Sequence, residues 1–215
     1  KFPGVISGNT ELLEKIKVAN SSAKPIDGHC PRLSGEGLRK YLAAGISTDH
    51  ECTTLEEAQE KSSFGMKIMI REGSSAKNME ALSKFKGECF LVSDDIRPED
   101  LIKGHVNRLL RKAVFIGIEP MAAIKMVTLN PVKHYNLSVG LLQEGDPADF
   151  VIVNNLREFK ALETWINGKR VAKEKPLFKV TSLKGGNTIR LRKKRPEEFA
   201  VKVKGNSARV NVIKI

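Results

Sequence analysis

Residues 24–53 read KPIDGHCPRLSGEGLRKYLAAGISTDHECT, and the reading of this stretch decides the fold. Lys24-Pro25-Ile26-Asp27 predicts a short strand ending at Gly28-His29. Ser34 opens a helix through Tyr41, Leu42 and Ala43, and Gly45 is its natural C-terminal stop. Ile46-Ser47-Thr48 is strand-like again and ends at Asp49-His50-Glu51. The alternation continues downstream. Met66 to Ile70 predicts a strand ending at Arg71-Glu72, and Cys89-Phe90-Leu91-Val92 predicts a buried strand closed by Ser93-Asp94-Asp95. His29, His50, Arg71 and Asp94 follow one another at steps of 21, 21 and 23 residues. That cadence is what repeated strand-helix units produce when each strand delivers a polar residue to one shared rim. Two histidines and an aspartate on one rim are metal-ligand chemistry.

The intervening segments fit the same pattern. Thr10 through Ala19 predicts an amphipathic helix with Leu12, Leu13 and Ile16 on one face. Thr54 with Glu57 reads as a capping box for a helix to Phe64, ended by Gly65. Ser75 to Phe85 reads as helical, and three helical pieces follow around 98–103, 106–116 and 119–128, the last with Pro120 in its first turn. Asn130-Pro131 is read as a break. From residue 138 the character changes to turns and strands. Glu144 to Asp149 is turn chemistry, Phe150 to Val153 a strand, and Thr164-Trp165-Ile166 runs into an Asn167-Gly168 hairpin turn before Lys169-Arg170-Val171. Thr188–Leu191, Phe199–Val203 and Arg209–Ile215 are further β-like runs. The front therefore holds four strand-helix units. A closed eight-stranded barrel takes about 250 residues, so four units are half of one, with a strand edge and a core that something else must complete.

Bulk properties narrow the classes. The chain has 215 residues and a formal charge of +12, which at first suggests nucleic acid. The charge is not spread evenly: residues 1–156 hold 20 Lys and Arg against 20 Asp and Glu, whereas residues 157–215 hold 17 against 5. The excess belongs to the C-terminal segment. There the run Arg190, Arg192, Lys193, Lys194, Arg195 has only Phe199 near it, too little aromatic interleaving for a base-stacking platform, so a solvated edge of a β-domain is the better reading. The three cysteines form no CxxC pair, which argues for a reducing, cytoplasmic setting over a disulfide scaffold. Nothing at the N-terminus resembles a signal peptide, and no run reaches the roughly 18 apolar residues of a membrane helix. The chain opens on Lys1, as a fragment or a processed product would.

The motifs also resemble a known family. PIDGHCPRLSGEGLRKYLAAGISTDHECTTLEEAQEKSSFGMKIMIREGSSAKN, CFLVSDDIRPEDLIKGHVNRLLRKAV, the helix to MVTLNPVKHYNL and GLLQEGDPADFVIVNNL are together similar to the adenine deaminase branch of the amidohydrolase superfamily. The likeness runs from residue 2 to about 173 and weakens through 180–215. It implies an α/β fold: the C-terminal half of a metal-dependent (β/α)8 hydrolase barrel over 1–137, a small β-domain segment over 138–175, and the start of an additional basic, β-rich domain over 176–215. It places His29, His50 and Asp94 after the fifth, sixth and eighth strands, where such enzymes hold divalent metal ions, two in the complete protein, manganese or iron with zinc as the alternative. The implied reaction is hydrolytic deamination of adenine to hypoxanthine and ammonia.

In that reading His29, His50 and Asp94 are metal ligands, and Asp94 is also the general acid–base that takes a proton from water. Glu51 shuttles protons or orients His50. Arg71, Glu72, Asp95 and His105 are candidates for substrate binding. Each has a plainer alternative: an internal salt bridge for Arg71-Glu72, helix capping for Asp94, Asp95 and His105, a structural role for His134. The family's HxH after the first strand and its bridging carboxylate after the fourth strand do not occur in these 215 residues. The resemblance therefore implies a part of a longer, homo-oligomeric enzyme that is not competent alone and needs the N-terminal barrel half. Its partner would be a purine base, not a membrane or nucleic acid. Three other readings stay open: an amidohydrolase for another cyclic C–N substrate, a non-catalytic remnant, and a basic nucleic-acid-binding module whose affinity falls steeply with salt.

Overall fold

In the computed structural model the described residues are 2–179, 186, 188–202 and 205. By internal packing the chain divides after Lys179 into two units. The first begins with two helices, α1 (Phe2–Ile6) and α2 (Thr10–Ser21). The strand-helix region follows: α3 (Gly35–Ala43), β1 (Thr48–Asp49), α4 (Leu55–Ser63), β2 (Lys67–Arg71) and β3 (Cys89–Val92). Four helices come next, α5 (Pro98–Leu101), α6 (Val106–Phe115), α7 (Pro120–Val127) and α8 (Leu129–Tyr135). The unit ends in β4 (Phe150–Val153), β5 (Ala161–Ile166), β6 (Lys169–Lys173) and β7 (Lys175–Pro176).

β1, β2 and β3 form a parallel sheet in chain order, and a parallel bridge between Ile26 and Ile46 extends the same direction of pairing one step further. Parallel strands need a crossover, and the expected alternation of strand and helix supplies it. The sheet is covered on both sides, which is why β2 and β3 read as nearly continuous apolar runs. Ile68, Ile70, Cys89 and Leu91 pack with Met79, Leu82, Leu109, Ala113 and Ala123 in the main core. The alternate residues Met69 and Phe90 are buried too, and Phe90 packs at a tilt against the rings of His134 and Tyr135 of α8. A second core joins Val5, Cys30, Leu38, Tyr41, Ile46 and Met66 beneath α1, α2 and α3.

Several expectations change in detail. The Lys24–Asp27 strand is only the single bridge at Ile26, since Pro25 has no N–H to give a ladder. The Ser75–Phe85 segment is a series of turns and not a helix. Its start is held extended by the Arg71 N–H bond to Asn78 Oδ1 (2.6 Å) and the Glu72–Lys77 bridge. Met79 and Leu82 still reach the core. Asn130-Pro131 is no break, because Pro131 falls in the first turn of α8, where its missing N–H has no helical partner to lose. The box at Thr54 is half formed. Thr54 Oγ1 accepts from Glu57 N at 3.2 Å, but the Glu57 carboxylate turns to the N–H groups of Thr53 and Arg32. Together with Glu60, which accepts from Gly35 N at 2.9 Å, it serves the entry to α3.

The last strands form an antiparallel sheet in the order β4-β5-β6-β7. Asn167 and Gly168 both have positive φ (49° and 71°), as the tight turn between β5 and β6 requires. Phe150 stacks on Trp165 at 5.6 Å between ring centres. In the second unit Pro196–Phe199 is one turn of 3-10 helix, braced by Glu198 accepting from Arg195 N. The expected strands at Thr188–Leu191 and Phe199–Val203 do not form among the described residues, where Leu191, Phe199 and Val201 remain largely exposed and so lack the packing that strand propensity depends on. Arg209–Ile215 lies outside the described residues. Among the described residues no helix is long and apolar enough to cross a membrane.

The three cysteines are free thiols buried in these cores. Burial, then the Asp49 carboxylate, pushes the Cys30 thiol up to about 12, and burial pushes Cys89 up to about 12. Cys52 is raised by the same two causes as Cys30. Because the thiolate is the reactive form, iodoacetamide at neutral pH should leave the folded chain unlabelled by mass spectrometry and add three groups in guanidinium. Fast labelling of the folded chain would contradict this packing.

Candidate active site

The parallel sheet brings the C-terminal ends of its strands together, and each polar cluster sits just past such an end. Gly28 is what lets the first approach the second: a Cβ there would lie 2.2 Å from Thr48 O and 2.6 Å from Ile46 Cγ2. Tyr41 Oη accepts from His29 N (3.1 Å) and fixes the turn that carries the first imidazole. His29 Nδ1 then lies 3.3 Å from His50 Nε2. Glu51 Oε1 is 3.3 Å from His29 Nδ1 and 3.4 Å from His50 Nε2, so three donor atoms face one point.

Arg71, the last residue of β2, closes the cluster. Its Nη1 donates to Glu51 Oε1 at 2.7 Å and to Asp94 Oδ2 at 2.9 Å. The other Asp94 oxygen, Oδ1, stands 3.9 Å from His50 Nε2. Asp94 itself is in the left-handed backbone region (φ 48°), a conformation that Asp tolerates better than most residues and that concentrates at functional sites. The structure thus brings His29, His50, Glu51, Arg71 and Asp94 together. The donor set of two imidazoles and two carboxylates suits a first-row divalent ion.

The other sequence candidates are placed elsewhere. Glu72 accepts from Lys112 Nζ at 2.8 Å. Asp95 Oδ2 accepts from Ser75 N at 3.2 Å; although burial works against it, this bond and others to Ser75 hold the carboxyl below the usual range. His105 Nε2 pairs with Ser93 Oγ at 2.9 Å, and His105 stands at the start of α6. Glu72, Ser74, Ser93, His105, Arg108 and Lys112 line a cavity of about 460 Å³ to which none of the five clustered residues contributes. Among the described residues two buried polar atoms lack a hydrogen-bond partner, Arg71 Nε and Glu72 Oε2, and they are neighbours in sequence at this rim.

Sequence reasoning missed what lies beneath the cluster. Lys61, on α4, is fully buried, as is Asp49. Lys61 Nζ donates to Asp49 Oδ2 (2.9 Å), Glu57 Oε1 (2.6 Å) and Cys30 O (2.7 Å). Asp49 in turn accepts from Cys30 N (2.9 Å), Glu51 N (3.2 Å) and Cys52 Sγ (3.3 Å). Asn78, also missed, accepts from Arg71 N and donates to Cys52 O at 2.9 Å. A signal existed: Lys61 follows the fully buried Ala58 by three residues, on the buried face of an otherwise polar helix.

A profile of the amidohydrolase family matches residues 2–171. The chain belongs to the amidohydrolase family. Among curated relatives of this amidohydrolase, the adenine deaminases of Methanosphaera stadtmanae and Methanothermobacter thermautotrophicus are each 47% identical over 219 residues, an alignment that takes in 100% of this chain and 40% of the relative. The adenine deaminase of Sulfurovum sp. is 45% identical over 203 residues, covering 92% of this chain and 38% of the relative. The chain therefore spans about two fifths of the length of these relatives. Among solved structures, a β-aspartyl dipeptidase from Fervidobacterium islandicum AW-1, crystallised with a β-Asp-Leu dipeptide, superposes with a TM-score of 0.56 at 16% identity, covering 84% of this chain and 56% of that one. At that identity the likeness is one of fold, a mixed α/β amidohydrolase architecture.

The buried charges give the amidohydrolase rim a pH signature. Burial alone would raise the Asp49 carboxyl, but the Lys61 ammonium and the Cys30 N–H outweigh it and hold Asp49 below its ordinary range. Glu57 is lowered in the same way, by Lys61 and the Thr53 and Arg32 amides against burial. Burial would lower Lys61, but Asp49 and Glu57 reverse this and raise it. Depressed carboxyls stabilise the fold above their unfolded values, about 3.9 for Asp and 4.3 for Glu, and that stability is lost as pH falls through the lower folded values. The raised lysine stabilises at every pH below its unfolded value of about 10.4 and is lost only as pH rises beyond that. Urea midpoints should thus change little across neutrality and fall below about pH 4, less steeply in Glu57→Gln. An identical acid limb in that variant would contradict the assignment.

Proposed function

We propose that this chain is the metal-binding, C-terminal portion of a purine-base deaminase that converts adenine to hypoxanthine and ammonia. The convergence of His29 Nδ1, His50 Nε2 and Glu51 Oε1 on one point at the strand ends, with Asp94 Oδ1 3.9 Å from His50 Nε2, carries the reading. The names of the curated relatives supply the substrate. Residues 1–137 then correspond to half of a (β/α)8 barrel, 138–175 to a segment of a small β-domain and 176–215 to the start of a further basic domain. The parallel order of β1, β2 and β3, the antiparallel β4 to β7, and the excess of Lys and Arg after residue 157 support that division. The unpartnered Arg71 Nε and Glu72 Oε2 support a site that further groups complete.

The donor set fits a divalent ion, which when bound would supply Lewis acidity and bring the pKa of a water toward neutrality. His29 and His50 would hold it, with Glu51 and Asp94 as the nearby carboxylates. The chemistry left to the chain is proton movement and orientation. Water adds through oxygen to the purine carbon that bears the amino group, and the carbon–nitrogen bond breaks. Asp94 Oδ1 stands toward the His50 imidazole while Oδ2 is held by Arg71, so the free oxygen is placed to accept the water proton and return it to the departing nitrogen. Arg71 keeps Glu51 and Asp94 at fixed distance and so sets the direction of that transfer. Glu72, Asp95 and His105 remain candidates for contacts with the base from the loops beyond β2 and β3.

The test uses the complete enzyme. Asp94→Asn, which tolerates the same left-handed backbone, should lower kcat for adenine by about 10²–10⁴-fold, the range expected for a lost general acid–base, with metal content retained. His29→Ala and His50→Ala should lose metal by elemental analysis. Turnover of hydantoin or dihydroorotate in place of adenine, or full activity in Asp94→Asn, would overturn the reading.

A further inference from the structure

The charge network under the rim is costly to build. Buried ions are stable only when their partners and remaining hydrogen bonds are all in place, and apolar side chains of similar volume often fill such a space at no loss of stability. What the network has that an apolar filling lacks is direction. Apart from the ion pairs of Lys61 with Asp49 and Glu57, its bonds end on a loop that carries an imidazole. Cys30, next to His29, gives both its N–H and its C=O, and Arg32 gives its N–H to Glu57 Oε1 at 2.7 Å. Glu51, next to His50, gives its N–H to Asp49, and Cys52 and Thr53 bond Asp49 and Glu57. Two loops that are 21 residues apart at their histidines are thereby fastened to one network, the first through Asp49, Glu57 and Lys61 and the second through Asp49 and Glu57. Asp49, Cys52 and Glu57 lie close enough together to hold an ion themselves. The Lys61 ammonium already fills that place as a covalently tethered cation.

We propose that Lys61, Asp49 and Glu57 are positioning residues that set the separation and mutual orientation of the His29 and His50 imidazoles. The consequence for cation affinity rests on the function proposed above; the consequence for the rings does not. With the network intact the two rings are held edge to face, 5.2 Å between centres. Without it, the His29 loop keeps its bonds to Tyr41 and Thr48, but the two loops lose the charged anchor they share, and the rings separate.

The experiment compares the 215-residue chain with Glu57→Gln and with the charge-neutral double variant Asp49→Asn/Lys61→Met. Nuclear Overhauser contacts between the two imidazoles are read in the metal-free chain, cobalt(II) affinity is read from the visible spectrum, and folding from circular dichroism and urea midpoints. Glu57→Gln keeps oxygen and shape at a side chain that still touches solvent, so it tests the idea even where the double variant does not fold. The expected result is a folded variant in which the ring–ring contact falls by half or more and cobalt(II) binds at least tenfold more weakly. A folded variant with the wild-type ring contact would overturn the proposal, whatever its stability. Loss of that contact in variants of a chain that binds no cobalt(II) would uphold the positioning role and sink the cation reading instead.

Discussion

The ion pair between Lys61 and Asp49 is the constraint on which the rim depends. Both side chains are fully buried, so neither charge can be compensated by solvent, and each must find its partners in the protein. Those partners are the backbone and side chains of the two loops after Ile26 and β1. A single buried ammonium thus converts sequence-distant segments into one rigid piece. The arrangement also explains the placement of α4: its buried face has to deliver Lys61 under the loops and Glu57 to their edge, four residues apart on one side of the helix.

The second constraint is the parallel sheet. Parallel strands put all their C-terminal ends on one side, so any polar residue immediately after a strand shares a rim with its counterparts. His29, His50, Arg71 and Asp94 meet for that reason. Arg71 and Asp94 show the limits of the effect, because the strand end supplies proximity and not orientation. Asp94 needs a left-handed backbone to turn its carboxylate, and Arg71 needs Asn78 to hold its N–H. The outer residues Glu72 and Asp95 leave the same strands one position later and turn to Lys112 and Ser75.

Much of this was legible in the chain. The spacing of polar residues after apolar runs located the rim, and the helix caps at Ser34, Thr54 and Pro120 bounded their elements closely. Local signals failed where a tertiary partner decided the outcome. Ser75–Phe85 reads as helical and buries Met79, Leu82 and Phe85, yet Asn78 spends its side chain on Arg71 and Cys52 and the segment turns. Proline interrupts a helix in mid-run, but Pro131 sits where a helix starts. Lysine is almost always exposed, so a buried Lys61 has no local signal beyond its place beside Ala58 on α4. The partner of Glu72 lies 40 residues away on α6, beyond the reach of any local pattern.

The proposed chemistry needs His29 and His50 to share one cation. Zinc K-edge X-ray absorption on the purified chain with equimolar zinc tests it most directly, because multiple scattering from imidazole counts the rings around the ion. Two imidazoles with carboxylate oxygen completing the shell are expected, with loss of the imidazole signal when both histidines are replaced by alanine. A shell of oxygen alone, or an imidazole signal that survives that double replacement, would contradict it.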